Sequence, residues 1–165
     1  MSRAFVKEDG PDTEPLPDLP LSPHLNFVTP RGLQALRDRL AAAQAELQRL
    51  RARSDRLDLL PERAAERDIR YLEARLASAI PVDPAGQPHD EVAFGARVTV
   101  ADPDGRETTY EIVGEDEADA ARNLIASGAP LARALIGARV GDVVLWQRPA
   151  GAVELMILRI AHADP

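Results

Sequence analysis

The sequence contains no cysteine, a single lysine (Lys7) among 20 basic residues, only 4% aromatic residues and no long apolar run. The absence of cysteine excludes a disulfide scaffold, a thiolate nucleophile, a cysteine-ligated zinc site and an iron–sulfur cluster. Three scattered histidines, His24, His89 and His162, argue against a histidine metal site. Apolar runs are broken by charge well short of the roughly 18 residues a membrane span needs, and MSRAFVKEDG at the N-terminus lacks the apolar stretch of a secretory signal. A soluble, cytoplasmic chain is expected. The net charge of −7, from 20 basic and 27 acidic side chains, argues against gripping duplex DNA with the whole surface.

Three zones and a short linker follow from composition and periodicity. Residues 1–26 hold five prolines, five acids and two bases, with few large apolar residues, and read as a mostly disordered leader. In residues 27–80, Thr29-Pro30 is an N-cap followed by proline at the first helical position. Leu33, Leu36, Leu40, Ala43, Leu47, Leu50, Ser54 and Leu57 then recur at the 3-4 spacing of a coiled-coil seam. Pro61 interrupts, and Ala65, Ile69, Leu72, Leu76 and Ala79 resume the spacing until Pro81 and Pro84. A reversal near Leu59-Leu60 would face Leu50 with Ile69 and Leu47 with Leu72, predicting an antiparallel helical hairpin. Residues 81–91 are a linker. Residues 92–165 carry strand alternation at Val92–Val100, Thr108–Val113, Val143–Trp146 and Val153–Ile160, with a short helix at Leu131–Ile136. The whole is an α+β protein, a helical hairpin followed by a small α+β domain.

No phosphate loop, serine–histidine–acid set or metal-ligand spacing is present, and Ser127, His24, His89 and His162 sit in unrelated contexts. The run Glu115-Asp116-Glu117 with Asp119 lacks the alternation and glycine of a calcium loop and is expected to be a solvated turn. At the hairpin's far end Asp55 and Asp58 are three apart, on one side of the helix while it lasts, and Glu62 follows across the turn. Such carboxylates could share a Mg²⁺ held mostly by another macromolecule, or could simply solubilise the tip and cap the second helix.

Four segments carry a resemblance: Phe94-Gly95-Ala96-Arg97-Val98-Thr99-Val100, Tyr110 through Asp119, Pro130 through Gly137, and Val140-Gly141-Asp142-Val143-Val144. In order and spacing they resemble the C-terminal domain of the bacterial GreA/GreB transcript-cleavage factors. Thr29-Pro30-Arg31-Gly32-Leu33 and Ile69–Leu76 are similar to the start and finish of that family's coiled coil. The resemblance implies an FKBP-like C-terminal fold that docks on the core of bacterial RNA polymerase, with the coiled coil entering the secondary channel. It further implies that tip acids, here Asp55 and Asp58, help hold a catalytic Mg²⁺ supplied by the polymerase, which then cleaves its own backtracked RNA. Ser127, Gly128, Ala129 and Pro130 fall at the family's docking loop. On this reading the chain is a monomer and not itself an enzyme, has no cofactor of its own, and meets nascent RNA and DNA only indirectly. An FKBP-like fold does not imply prolyl isomerase activity, because only Phe94, Tyr110 and Trp146 could line an aromatic pocket.

Two departures from the family bear on function. The hairpin is shorter by about 15 residues, roughly 10 Å of reach at helical rise. The family's Asp-x-x-Glu-Asn tip is replaced by Asp55-Arg56-Leu57-Asp58 running into Leu59-Leu60-Pro61. Three functions therefore stand open: a cleavage-stimulating elongation factor, a non-cleaving secondary-channel regulator with a shortened arm, and a plain coiled-coil interaction module. Charge divides along the chain. Residues 31–78 carry 11 basic against 8 acidic side chains and residues 79–165 carry 7 against 14, an arginine-rich arm on an acidic base.

Overall fold

The structure is a computed structural model that describes residues 14–162. A short strand β1 (Asn26–Val28) leads into α1 (Pro30–Arg51), and α2 (Leu60–Ala77) returns to β2 (Ala79–Pro81), which pairs with β1 in parallel. Thr29 accepts the Gly32 amide on its hydroxyl and Pro30 opens the helix, as the sequence predicts. Val28, Leu36 and Leu72 form the centre of the hairpin's packing, with Leu33, Leu40, Ala43, Leu76 and Ala79 around them. Arg51 reaches Glu66 across the hairpin at 2.6 Å, so the two helices run in the expected antiparallel sense.

The far end differs from expectation. α1 stops at Arg51, so Ser54, Asp55, Leu57 and Asp58 lie on a loop, and Leu57 is 94% exposed rather than part of the seam. The cause is local. The Asp55 carboxylate accepts the Leu57 amide at 3.1 Å and the Asp58 carboxylate the Leu60 amide at 2.9 Å, offering the backbone partners other than the helix. Arg53 Nε also donates to the Leu50 carbonyl at the helix end.

The leader also departs from its expected disorder. From Glu14 to Leu25 the chain is extended and follows α2, tied by Asp18 to Arg70 at 2.6 Å and by Ser22 to Glu115 at 2.9 Å. Residues 1–13, where the rest of that expectation falls, lie outside the described residues.

The C-terminal domain is a five-stranded sheet in the order β5-β4-β3-β7-β6, formed by β3 (Ala96–Ala101), β4 (Glu107–Val113), β5 (Leu124–Ala126), β6 (Val143–Trp146) and β7 (Val153–His162). Only β5 runs parallel to its neighbour; its three residues escape the alternation test that finds the other four. The β3–β4 turn is held by the Asp102 carboxylate, which accepts the amides of Asp104 and Arg106, with Gly105 at φ +79°. α3 (Pro130–Leu135) lays Leu131, Ala132 and Leu135 on the sheet against Val92, Val98, Val100, Ile112, Leu155 and Ile157, and this is the main core. Among the described residues no helix is long and apolar enough to cross a membrane.

Candidate functional site

Three features hold the chain's concentrated chemistry: the hairpin tip, the joint between hairpin and sheet domain, and the loop before α3.

At the tip, Asp55 and Asp58 are exposed, and each spends one carboxylate oxygen on a backbone amide two residues ahead. Glu62 is drawn inward. Its side chain is 6% exposed and accepts two bonds from the Arg56 guanidinium, at 2.9 and 2.6 Å, with Arg53 at 3.9 Å. The Arg56 hydrogen bond holds the Glu62 carboxyl below the usual range against the opposing effect of desolvation. The tip is therefore not purely acidic: Glu62 is paired with Arg56 and approached by Arg53, Asp55 and Asp58 each close a turn, and over residues 51–63 four arginines stand against three acids. These residues do not fit a metal centre of their own. Asp55 and Asp58 close separate turns, and among the described residues no group of three or more His, Cys, Asp and Glu could hold an ion.

At the joint, the run expected to be a solvated turn is instead a clasp. Glu117 accepts the Thr29 hydroxyl at 2.6 Å and Arg31 Nε at 2.7 Å, and Arg31 also reaches Glu111 at 2.8 Å. Burial works against the Arg31 cation, but the hydrogen bond and charge of Glu117, with Glu111 behind it, raise its proton affinity overall. Asp116 takes Arg75 Nε at 2.5 Å and the Tyr71 hydroxyl at 2.9 Å. Burial, then the bond to Asp116, pushes the Tyr71 phenol above its ordinary range, so it remains a donor. Arg75, 3% exposed, also meets Asn26 Oδ1 at 2.7 Å and Glu115 at 3.5 Å. Two glycines allow the approach: a Cβ on Gly32 would lie 2.6 Å from Glu117 Oε2, and one on Gly114 would lie 2.5 Å from the Phe27 carbonyl. Sequence reasoning missed this clasp. Its signal was Arg75, a charged residue three positions after Leu72 on the apolar stripe.

The loop Ser127-Gly128-Ala129-Pro130 separates two recesses. Ser127 and Gly128 border one of about 610 Å³ beside Phe27, Phe94 and Ile136. Ala129 and Pro130 border another of about 650 Å³ with Tyr110, Ile125, Leu131 and Trp146, where Arg148 lies 5.2 Å from the Trp146 ring centre. The loop is anchored from behind by the Ser127 amide to the Val113 carbonyl and the Ala129 amide to the Ala126 carbonyl. Phe94 does not join Tyr110 and Trp146 in an aromatic pocket; it packs on Phe27 with ring centres 6.0 Å apart. His89 and His162 come together edge to face with ring centres 4.8 Å apart, and His24 borders the recess beside Phe27 and Phe94.

The sequence model for the C-terminal domain of transcription elongation factors GreA/GreB matches residues 87–162. Transcription elongation factor GreB of Neisseria meningitidis serogroup B is 40% identical over 159 residues, spanning 83% of this chain and 94% of that protein. The chain belongs to the GreA/GreB family. Its GreA relative from Pseudomonas putida is 43% identical over 99 residues, covering 59% of this chain and 62% of its own. Among solved structures, the GreA factor homolog 1 (Gfh1) of Thermus thermophilus matches with 26% identity and a TM-score of 0.41, over 84% of this chain and 99% of that one. The GreB alignment is longer than the stretch of this chain it spans, so that relative carries residues for which this Gre-family chain has no counterpart. Within the family's two-part plan, the four C-terminal motifs fall on β3, on β4 with the acidic clasp, on α3, and on the entry to β6.

Proposed function

We propose that this GreA/GreB family member regulates elongation by docking on RNA polymerase through Ser127–Pro130 and the recesses beside it, and by occupying the secondary channel with a short arm that does not promote RNA cleavage. The observation that carries this reading is the tip: Asp55 and Asp58 are turned onto the backbone amides of Leu57 and Leu60, and Glu62 is clamped by Arg56. A carboxylate that helps bind an ion has to come within about 2.1 Å of it. α1 has 22 residues, about 33 Å, and the hairpin expected from the sequence to be shorter than the family's carries its tip less far. What remains to the arm is its volume and its arginines, which suit entry into a passage near RNA phosphates while the acidic domain stays on protein.

The test is a stalled, backtracked elongation complex, with bound factor measured alongside RNA length. The expected result is binding that depends on the docking loop, slowed nucleotide addition and unshortened RNA. RNA shortening that disappears when Asp55→Ala and Asp58→Ala are combined would overturn the non-cleaving reading in favour of cleavage stimulation. Failure to bind core polymerase would overturn the docking reading and favour a plain interaction module.

A further inference from the structure

Between Glu14 and Leu25, Leu16, Leu19 and Ser22 are half-buried and every other residue is exposed. Burial at every third residue is the period of a polyproline-type helix, and Pro15, Pro17, Pro20 and Pro23 restrict the free chain towards that form, lowering the entropy lost on docking. The buried edge lies on α2. Leu19 and Leu21 border a recess with Tyr71 and Ala74, while Arg70 donates to Asp18 Oδ1 at 2.6 Å and to the Leu16 carbonyl at 2.8 Å. One end is fixed at the joint, where Ser22 donates to Glu115. The other end reaches the tip, where Glu14, Pro15 and Leu16 face Arg56, Arg63, Asp58 and the leucines at 57, 59 and 60 across a recess of about 550 Å³.

We propose that the leader is a third segment of the arm, and that the end of the arm presented to RNA polymerase is composite, made of Glu14–Leu16 together with the tip residues from Arg56 to Leu60 and Arg63. Leu57 and Leu60, 94% and 57% exposed, give the composite end an apolar floor, and Glu14 has the sign complementary to Arg56 and Arg63 beside it. The choice of partner rests on the docking function proposed above; the path of the leader rests on the contacts alone.

The chain has no cysteine, so nitroxide labels can be placed at Glu14→Cys and Leu57→Cys alone and their separation read by pulsed electron resonance. The expected result for the otherwise intact chain is one narrow, short-distance population. Loss of the exposed Asp18–Arg70 pair changes the docked fraction by no more than about fivefold. The release variant therefore combines Asp18→Ala with Leu19→Asp, and its distances are expected to broaden and lengthen. On elongation complexes the unlabelled release variant is expected to bind polymerase through its C-terminal domain while slowing nucleotide addition several-fold less than the parent. Broad distances in the parent labels, or full slowing by a variant whose distances show release, would overturn the proposal. If the parent does not bind polymerase, the docking reading fails instead, and the label distances still decide the path of the leader.

Discussion

Arg75→Met tests the clasp where its energetics are clearest. Methionine keeps an unbranched apolar stem of similar reach and removes only the charged head. The arginine is 3% exposed and serves Asp116 at 2.5 Å and Asn26 Oδ1 at 2.7 Å. Its loss leaves the Asp116 carboxylate, 11% exposed, with the Tyr71 hydroxyl, and leaves the Asn26 carbonyl oxygen with no donor in a site 5% exposed. Removing one partner of a buried pair costs about 3–5 kcal/mol. Because Tyr71 stays and some water reaches Asp116, the lower bound of about 3 kcal/mol applies, which for a chain of this size lowers Tm by about 6–12 °C. Adding Asp116→Leu removes the orphaned charge, and the double variant is expected to regain most of that loss. Trp146, the single tryptophan, lies on β6 and reports the sheet domain, whereas circular dichroism at 222 nm weights the hairpin. In Arg75→Met the helical signal is expected to melt ahead of Trp146 fluorescence. A Tm fall below about 2 °C, or a double variant no more stable than the two single changes added together, would refute the clasp as a buried, coupled network.

Three further outcomes follow from the same geometry. Because the Glu62 carboxyl is held below its ordinary range, the contribution of its ion pair with Arg56 is fully present above about pH 4.3 and is lost as pH falls through the lower folded value; Glu62→Gln is expected to flatten the acid limb of the hairpin's melting curve relative to the parent. Gly114→Ala drives a Cβ against the Phe27 carbonyl, a backbone atom that cannot turn aside, and should cost about 1–3 kcal/mol in thermal unfolding; Gly32→Ala should cost less, because the Glu117 carboxylate can swing away. Asp58→Ala should lower the hairpin's unfolding free energy by the value of one hydrogen bond, about 0.5–1.5 kcal/mol, and leave RNA length in the backtracked complex unchanged.

The hairpin was legible because its information is local and repetitive: the 3-4 spacing from Leu33 to Leu50, Thr29-Pro30 at the start, and the return from Ala65 to Ala79. Its end was not. The spacing continues through Ser54 and Leu57, and only the competition of the Asp55 and Asp58 side chains for backbone amides stops the helix at Arg51. The clasp was hidden for a different reason: Glu117 finds Thr29 and Arg31 across 88 and 86 positions, and Asp116 finds Arg75 across 41. Nothing near those acids in sequence distinguishes a clasp from a solvated turn. The leader is the intermediate case. Its period is three, written in Leu16, Leu19 and Ser22 among prolines, and a search at periods of 2 and 3.6 passes over it.

These differences change what the shortened arm can do. Read from sequence, the loss of reach leaves a weaker version of a longer device, with acids still at its end. In the folded chain Asp55 and Asp58 each close a turn and Glu62 is paired with Arg56, while in the loop between the helices Arg53 and Arg56 balance the two aspartates. An ion shared with another macromolecule would have to be bound by carboxylates that already close turns, each with one oxygen still exposed. On the proposed path the leader brings Glu14, Pro15 and Leu16 to this same end without lengthening either helix. An extended residue advances the chain about 3.1 Å against 1.5 Å for a helical one, so on the proposed path the leader covers the length of α2 with about half as many residues as a helix would use.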